Sequence, residues 1–258
     1  MNNKIIRNIT LSALMIGLGV IFERLFVINI PPFIRVGIGS IPVILSSVIL
    51  GPVYGAFIGA SVDVLGFFVF DITGYPYTPY VTISFILMGV LPYFLLKISS
   101  FMRYKKMPFP ISYILLGVIW SFLLVYAITN DTVRISGTNY PIDVAMKVLI
   151  PVISFIVFGA FSVFIYLSNR YFQKRIMFYP KCPSPHESAF VILVVEILIH
   201  MVWGSIWKSW FFGLDVLMVL FIQSVILIFT FPVKTFVFNY VLMAYHRYID
   251  KARSDRVE

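Results

Sequence analysis

Charged side chains make up only 12% of this 258-residue chain and hydrophobic ones 60%. Each polar group inside an apolar run is therefore a candidate for chemistry, because ionisable residues at membrane depth are costly and mark sites. Glu196 and His200 stand four apart, so they share one face of a helix. Such a pair can relay a proton, supply half of a metal site or form an interhelical hydrogen-bonded pair. Two ligands are too few for a structural metal site, and the hydrogen-bonded pair is the preferred reading. Asp63 lies midway along an apolar run among Gly59, Ala60, Ser61 and Gly66, where a carboxylate can pair with a base, take a proton or accept hydrogen bonds. Glu23 and Arg24 close the first run, and either snorkel to the interface or contact a ligand. Arg35 follows in the next loop. Lys234, two residues after Pro232, reads as a snorkelling cation. Aromatic residues crowd the ends of several runs: Phe67, Phe68, Tyr75, Tyr77 and Tyr80 around the DITGYPYTP loop, and Trp203, Trp207 and Trp210 further on. An aromatic belt explains many of these; the loop, with a glycine and two prolines, would also suit a lid over a flat aromatic ligand.

What must position these residues follows from composition. A mean hydropathy of +0.96 excludes both a soluble domain and a disordered chain, and leaves an integral membrane protein. Apolar runs occur at about 5–30, 36–50, 54–70, 80–96, 110–128, 148–167, 189–207 and 216–240. They are continuous and too long for barrel strands, so the expected fold is an all-α polytopic bundle of about eight transmembrane helices, in a single domain over 1–258. The first run starts like a signal peptide but continues without a cleavage site through Glu23 and Arg24, and is read as a retained helix ended by Pro31 and Pro32. Gly51-Pro52 is a tight turn between the second and third runs.

The net charge of +9 is a matter of topology, with no need for nucleic acid. Lys4 and Arg7 precede the first run. Lys97, Arg103, Lys105 and Lys106 follow the fourth; Arg170, Lys174, Arg175 and Lys181 follow the sixth; Arg247, Lys251, Arg253 and Arg256 follow the eighth. With eight spans all four clusters share one side, which the positive-inside rule makes cytoplasmic, with both termini inside. The single cysteine, Cys182, rules out an intrachain disulfide. No HExxH, GxSxG, Walker A or GxGxxG pattern occurs, so the chain is expected to carry no ATPase, metal or cofactor of its own. Ala13 and Gly17, spaced by four, give the first helix a smooth face, extended by Gly19, that a partner helix could approach closely. The same spacing in Gly51, Gly55 and Gly59 reads as packing within the bundle.

The stretch RLFVINIPPFIRVGIGSIPVILSSVILGPVYGAFIGASVDVLGFFVF, then GYPYTPYVTISFILMGVLPYFLL, resembles the substrate-binding S component of energy-coupling-factor (ECF) vitamin transporters, in particular the folate-type branch. Its most specific part is GPVYGAFIGASVD; the last two runs resemble the family's final helix pair more loosely. The resemblance implies a small helical bundle in the bacterial cell membrane that captures a vitamin from outside. Delivery inward then involves a transmembrane coupling subunit and two ATPases, so ATP is used by the partners. It implies a six-helix core, here about 5–96 and 187–246, with an inserted pair at about 110–168. It places Ala13 and Gly17 on the face toward the coupling subunit. It places Arg24, Arg35 and the Tyr75–Tyr80 loop at a ligand pocket near the outer surface. The substrate-binding set is accordingly Arg24, Arg35, Asp63, Tyr75, Tyr77, Tyr80, His200 and Trp203. Arginine suits a folate's carboxylates and the rings suit its pterin. Gln223 stands nine positions before Pro232, where the family commonly has a basic residue, and His200 where it prefers Asn. Another vitamin or precursor on the same machinery is the nearest alternative. From other classes, an ion-coupled transporter working through Asp63 or a membrane-embedded enzyme using Glu196 and His200 remain open.

Overall fold

A computed structural model describes residues 3–30, 34–70, 76–104, 110–130, 132–135, 138–141, 144–176 and 183–254. Helices dominate: α1 (Asn3–Arg24), α2 (Ser40–Leu50), α3 (Pro52–Phe70), α4 (Pro79–Tyr104), α5 (Pro110–Thr129), α6 (Val144–Ile176), α7 (Pro185–Glu196), α8 (Gly204–Phe212) and α9 (Val216–Ser254). A π-helical segment, Ile197–Trp203, joins α7 to α8, so Pro185–Phe212 acts as one apolar span. Among the described residues six helices are long and apolar enough to cross a membrane, and there are two shorter apolar helices, Ser40–Leu50 and Ser112–Tyr126. This is the expected all-α polytopic membrane bundle.

Three local differences from the sequence reading have physical causes. The first helix stops at Arg24 rather than continuing to Ile30. β1 (Val27–Ile30) pairs antiparallel with β2 (Ile34–Gly37) in the register Val27↔Gly37 to Ile30↔Ile34. The β-branched residues there favour a pleated ribbon, and the ladder takes up the backbone groups that the helix gives up. A second ribbon, β3 (Thr132–Ile135) with β4 (Thr138–Pro141), joins α5 to α6 where no strand was expected. The seventh run is broken by the π segment. α7 itself starts on a capping box: the Glu187 N–H donates to Ser184 Oγ, and the Ser184 N–H donates back to Glu187 Oε2 at 2.7 Å, satisfying two orphan donors at the helix start.

Glycine sets the closest packing. A Cβ added at Gly55 or at Gly89 would run into the other's carbonyl group, and one at Gly59 into the Phe85 carbonyl. α3 and α4 therefore cross almost backbone to backbone, as small residues allow in a membrane. α2 ends at Gly51, whose φ of 99° lies in a region open to glycine. The core sits among α2, α3, α4, α7 and α9, with Ile41, Ile44, Ile58, Met88, Ile192, Leu193 and Phe238 buried. α6 instead exposes Val152, Phe155, Ile156, Val163 and Leu167, a composition that suits lipid.

The basic clusters ride on helix ends. Lys97 and Arg103 are in the last turns of α4, Arg170, Lys174 and Arg175 in those of α6, and Arg247, Lys251 and Arg253 in those of α9. Arg7 of α1 acts electrostatically on Tyr245 of α9, which brings the start of α1 to the end of α9. The ribbon β1–β2 and the Gly213 turn between α8 and α9 belong to the opposite end. That second end carries the candidate site.

Candidate substrate-binding site

The residues singled out from the sequence fall into two groups on either side of the first turns of α4. Thr82, Phe85 and Gly89 form one stripe of that helix, facing α3. Tyr80 is two residues from Thr82, about 200° around the helix, and faces the π segment and α8.

In the first group, Asp63 is buried on α3 at 3% exposure. Its Oδ2 accepts a hydrogen bond from Thr82 Oγ1, and the Tyr77 hydroxyl is bonded to the same Thr82 oxygen. An ionised carboxylate can only accept, and Thr82 has one proton to give. With the Thr82 proton directed at Asp63, Tyr77 is the donor to Thr82. The three side chains thus form a directed chain from the loop ahead of α4 into the bundle. Tyr77 also packs on Phe67 and Phe68, with ring centroids 5.2 and 5.6 Å away. Arg24 joins this group: a Cβ on Gly66 would lie 2.9 Å from Arg24 Nε. Gly66 is one turn along α3 from Asp63, so the absence of a side chain there admits the guanidinium. Glu23, its neighbour, packs against Gly39 ahead of α2.

In the second group, Tyr80 is surrounded by indoles. Trp207 stacks on it at 6.2 Å with an 11° interplanar angle, Trp210 meets it edge-on at 5.7 Å, and Trp203 lies at 6.3 Å. Trp203 Nε1 donates to the Tyr80 carbonyl at 3.4 Å. Flat, polarisable surfaces with polar tips suit a planar heteroaromatic ligand. His200 sits one turn back in the π segment, with Nε2 3.8 Å from Glu196 Oε2, too far for a hydrogen bond.

Beneath both groups lies an ion pair between helices. Lys234 Nζ donates to Glu196 Oε1 at 2.8 Å, with side-chain exposures of 4% and 3%. Lys234 does not snorkel. It finds a carboxylate at its own depth, because Glu196 and Lys234 stand at similar distances on either side of the Gly213 turn. Glu196 does pair between helices, with Lys234 as the partner in place of His200. Ser40, buried at the start of α2, lies close to the same carboxylate.

Arg35 lies on β2, opposite Asn29, and β2 rests against α9. Tyr75 lies outside the described residues. Ala13 and Gly17 are exposed on α1, and a Cβ on Gly17 would meet nothing within 4 Å. Gly19, expected on the same smooth face, is instead buried against Val62 of α3. No group of three or more His, Cys, Asp or Glu side chains that could hold a metal occurs among the described residues.

Sequence reasoning missed Thr82 and the pairing of Lys234. Thr82 gave no signal, since a hydroxyl near a loop is ordinary. Lys234 did: two opposite charges at one depth in antiparallel neighbours should have been matched to each other.

Comparison with known proteins agrees with this architecture. Residues 7–155 match the family model described as ECF transporter, substrate-specific component. The "Folate transporter FolT" of Clostridium novyi (strain NT) is 43% identical over 58 residues, 22% of this chain and 33% of that protein. The match thus spans about a third of that relative's length. No solved structure matches. With a family match over more than half its length, the chain belongs to the substrate-specific components of ECF transporters.

Proposed function

We propose that this chain captures a folate or folate derivative from outside the cell and delivers it inward together with a transmembrane coupling subunit and two ATPases. The observation that carries this reading is the Tyr80–Trp203–Trp207–Trp210 ring cluster, with Arg24 against α3 on the other side of the first turns of α4. A cation for carboxylates and rings for a pterin are what such a ligand requires. The partial identity to a folate transporter supports the same ligand. On this reading Arg35, Tyr75, Tyr77, His200 and Trp203 also contribute to ligand binding. Both termini are cytoplasmic, because the basic helix ends of α4, α6 and α9 then obey the positive-inside rule. Ala13 and Gly17 face the coupling subunit, the chain has no cofactor of its own, and ATP is consumed by the partners. The helices at about 110–168 are an addition to a six-helix core at about 5–96 and 187–246, within one domain.

The test is a titration of the purified protein with folic acid, followed by quenching of its four tryptophans. Saturable quenching that Arg24→Ala weakens supports the reading. Absence of saturable binding to folic acid and to reduced folates would overturn the ligand.

A further inference from the structure

The Glu196–Lys234 pair calls for an account that stability does not supply. Replacing a buried ion pair by apolar residues of similar volume is often neutral or stabilising, whereas removing one partner is costly. The pair is held at 2.8 Å in the interior of the bundle, and what it adjoins is unusual. The π segment begins at the very next residue, Ile197, and runs to Trp203. π turns are rare and concentrate at functional sites. Each extra residue in a turn rotates everything beyond it by about 100°. The directions of Trp203, Trp207 and Trp210 therefore depend on this insertion staying where it is.

Both ends of the segment are fastened. At its start, Glu196 is tied to α9 by Lys234. At its end, Trp203 is tied to α4 through the Tyr80 carbonyl, and the Gly204 N–H turns back to the Ile199 carbonyl five residues earlier. A Cβ on Gly204 would sit only 3.1 Å from that oxygen, so the wide turn closes against a glycine. On α9, Pro232 stands two residues before Lys234 and leaves a carbonyl of the preceding turn without its usual donor. Both helices thus depart from regular hydrogen bonding at the depth where the two charges meet.

We infer that Lys234 is a positioning residue for substrate binding: through Glu196 it fixes the π segment, and so sets where His200 and Trp203 present themselves to the ligand. This deepens the function proposed above and rests on it for the role of those two residues. Lys234 itself does not touch the ligand.

The experiment compares the parent with two apolar or neutral replacements of the whole pair, Glu196→Met with Lys234→Met and Glu196→Gln with Lys234→Met, and with Lys234→Arg. Three readouts are taken in detergent: thermal unfolding, the near-ultraviolet circular dichroism of the indole cluster, and folic acid titration. The expected result is unfolding within a few degrees of the parent for at least one double variant, an altered aromatic dichroism band, and folic acid affinity reduced tenfold or more. Lys234→Arg keeps the charge and is expected to retain the parent's band and affinity. A folded double variant with the parent's dichroism and affinity would overturn the proposal. A parent that does not bind folic acid would remove the ligand reading alone, since the dichroism comparison still decides whether the pair sets the π segment.

Discussion

Replacing Thr82 with valine tests the directed chain from Tyr77 to Asp63. The substitution keeps the branched shape and removes the hydroxyl, so packing between α3 and α4 is preserved. Two bonds go at once: the one Asp63 accepts and the one Tyr77 donates. A hydrogen bond to a charged group contributes about 1.5–3 kcal/mol and a neutral one about 0.5–1.5 kcal/mol. Asp63 is 3% exposed, so water cannot readily replace the lost donor. Thr82→Val should therefore destabilise the protein by about 2–4.5 kcal/mol, the sum of those two ranges. Tyr77→Phe removes only the outer bond and should cost about 0.5–1.5 kcal/mol. The sharper consequence is their coupling. Once Thr82 has lost its oxygen, Tyr77 has no acceptor there, so Tyr77→Phe should cost almost nothing in the Thr82→Val background. A double-mutant cycle by chemical unfolding in detergent measures this directly. Additive effects of the two substitutions, or a larger cost for Tyr77→Phe than for Thr82→Val, would refute the chain as drawn.

Further outcomes follow from the same geometry. Lys234→Ala alone, by stranding Glu196 at 3% exposure, should lower stability by about 3–5 kcal/mol, far more than the paired apolar replacements; unfolding curves of the three variants check the order. Gly59→Ala should cost about 1–3 kcal/mol by overpacking against the Phe85 carbonyl, whereas Gly17→Ala, with nothing within 4 Å of the new Cβ, should be tolerated; both are read by thermal unfolding. Ala13→Trp with Gly17→Trp should abolish co-purification with a coupling subunit while leaving folic acid titration unchanged. Arg24→Ala should weaken folic acid binding by about 1.5–3 kcal/mol if the guanidinium meets a carboxylate, and an unchanged affinity would return Arg24 to a snorkelling role.

Much of the fold was legible because bilayer thickness imposes run length. Gly51-Pro52 marked the α2–α3 turn correctly, and the small residues at Gly55 and Gly59 marked a tight helix crossing. What hydropathy could not show were departures from helix inside or beside an apolar run. Val27–Ile30 is as apolar as the helix before it, so only the partner strand at Ile34–Gly37 reveals the ribbon. The π segment is invisible for the same reason: ILIHMVW is an ordinary apolar sequence, and nothing in it marks a change in the hydrogen-bonding pattern. The candidate site was half legible. Asp63, Arg24, Tyr80 and Trp203 stood out by type, but their separation into two groups depends on the rotation of α4. Lys234 was misread because a single helix was considered without the antiparallel partner that carries the matching charge.

The most direct test of the proposed role is uptake of radiolabelled folic acid into proteoliposomes. The chain would be reconstituted alone and together with an ECF coupling subunit and its two ATPases. Folic acid should bind in both preparations but accumulate inside the vesicles only when the partners and internal ATP are present. Accumulation by the chain alone at the same rate, or binding without any ATP-dependent accumulation in the full complex, would contradict that role.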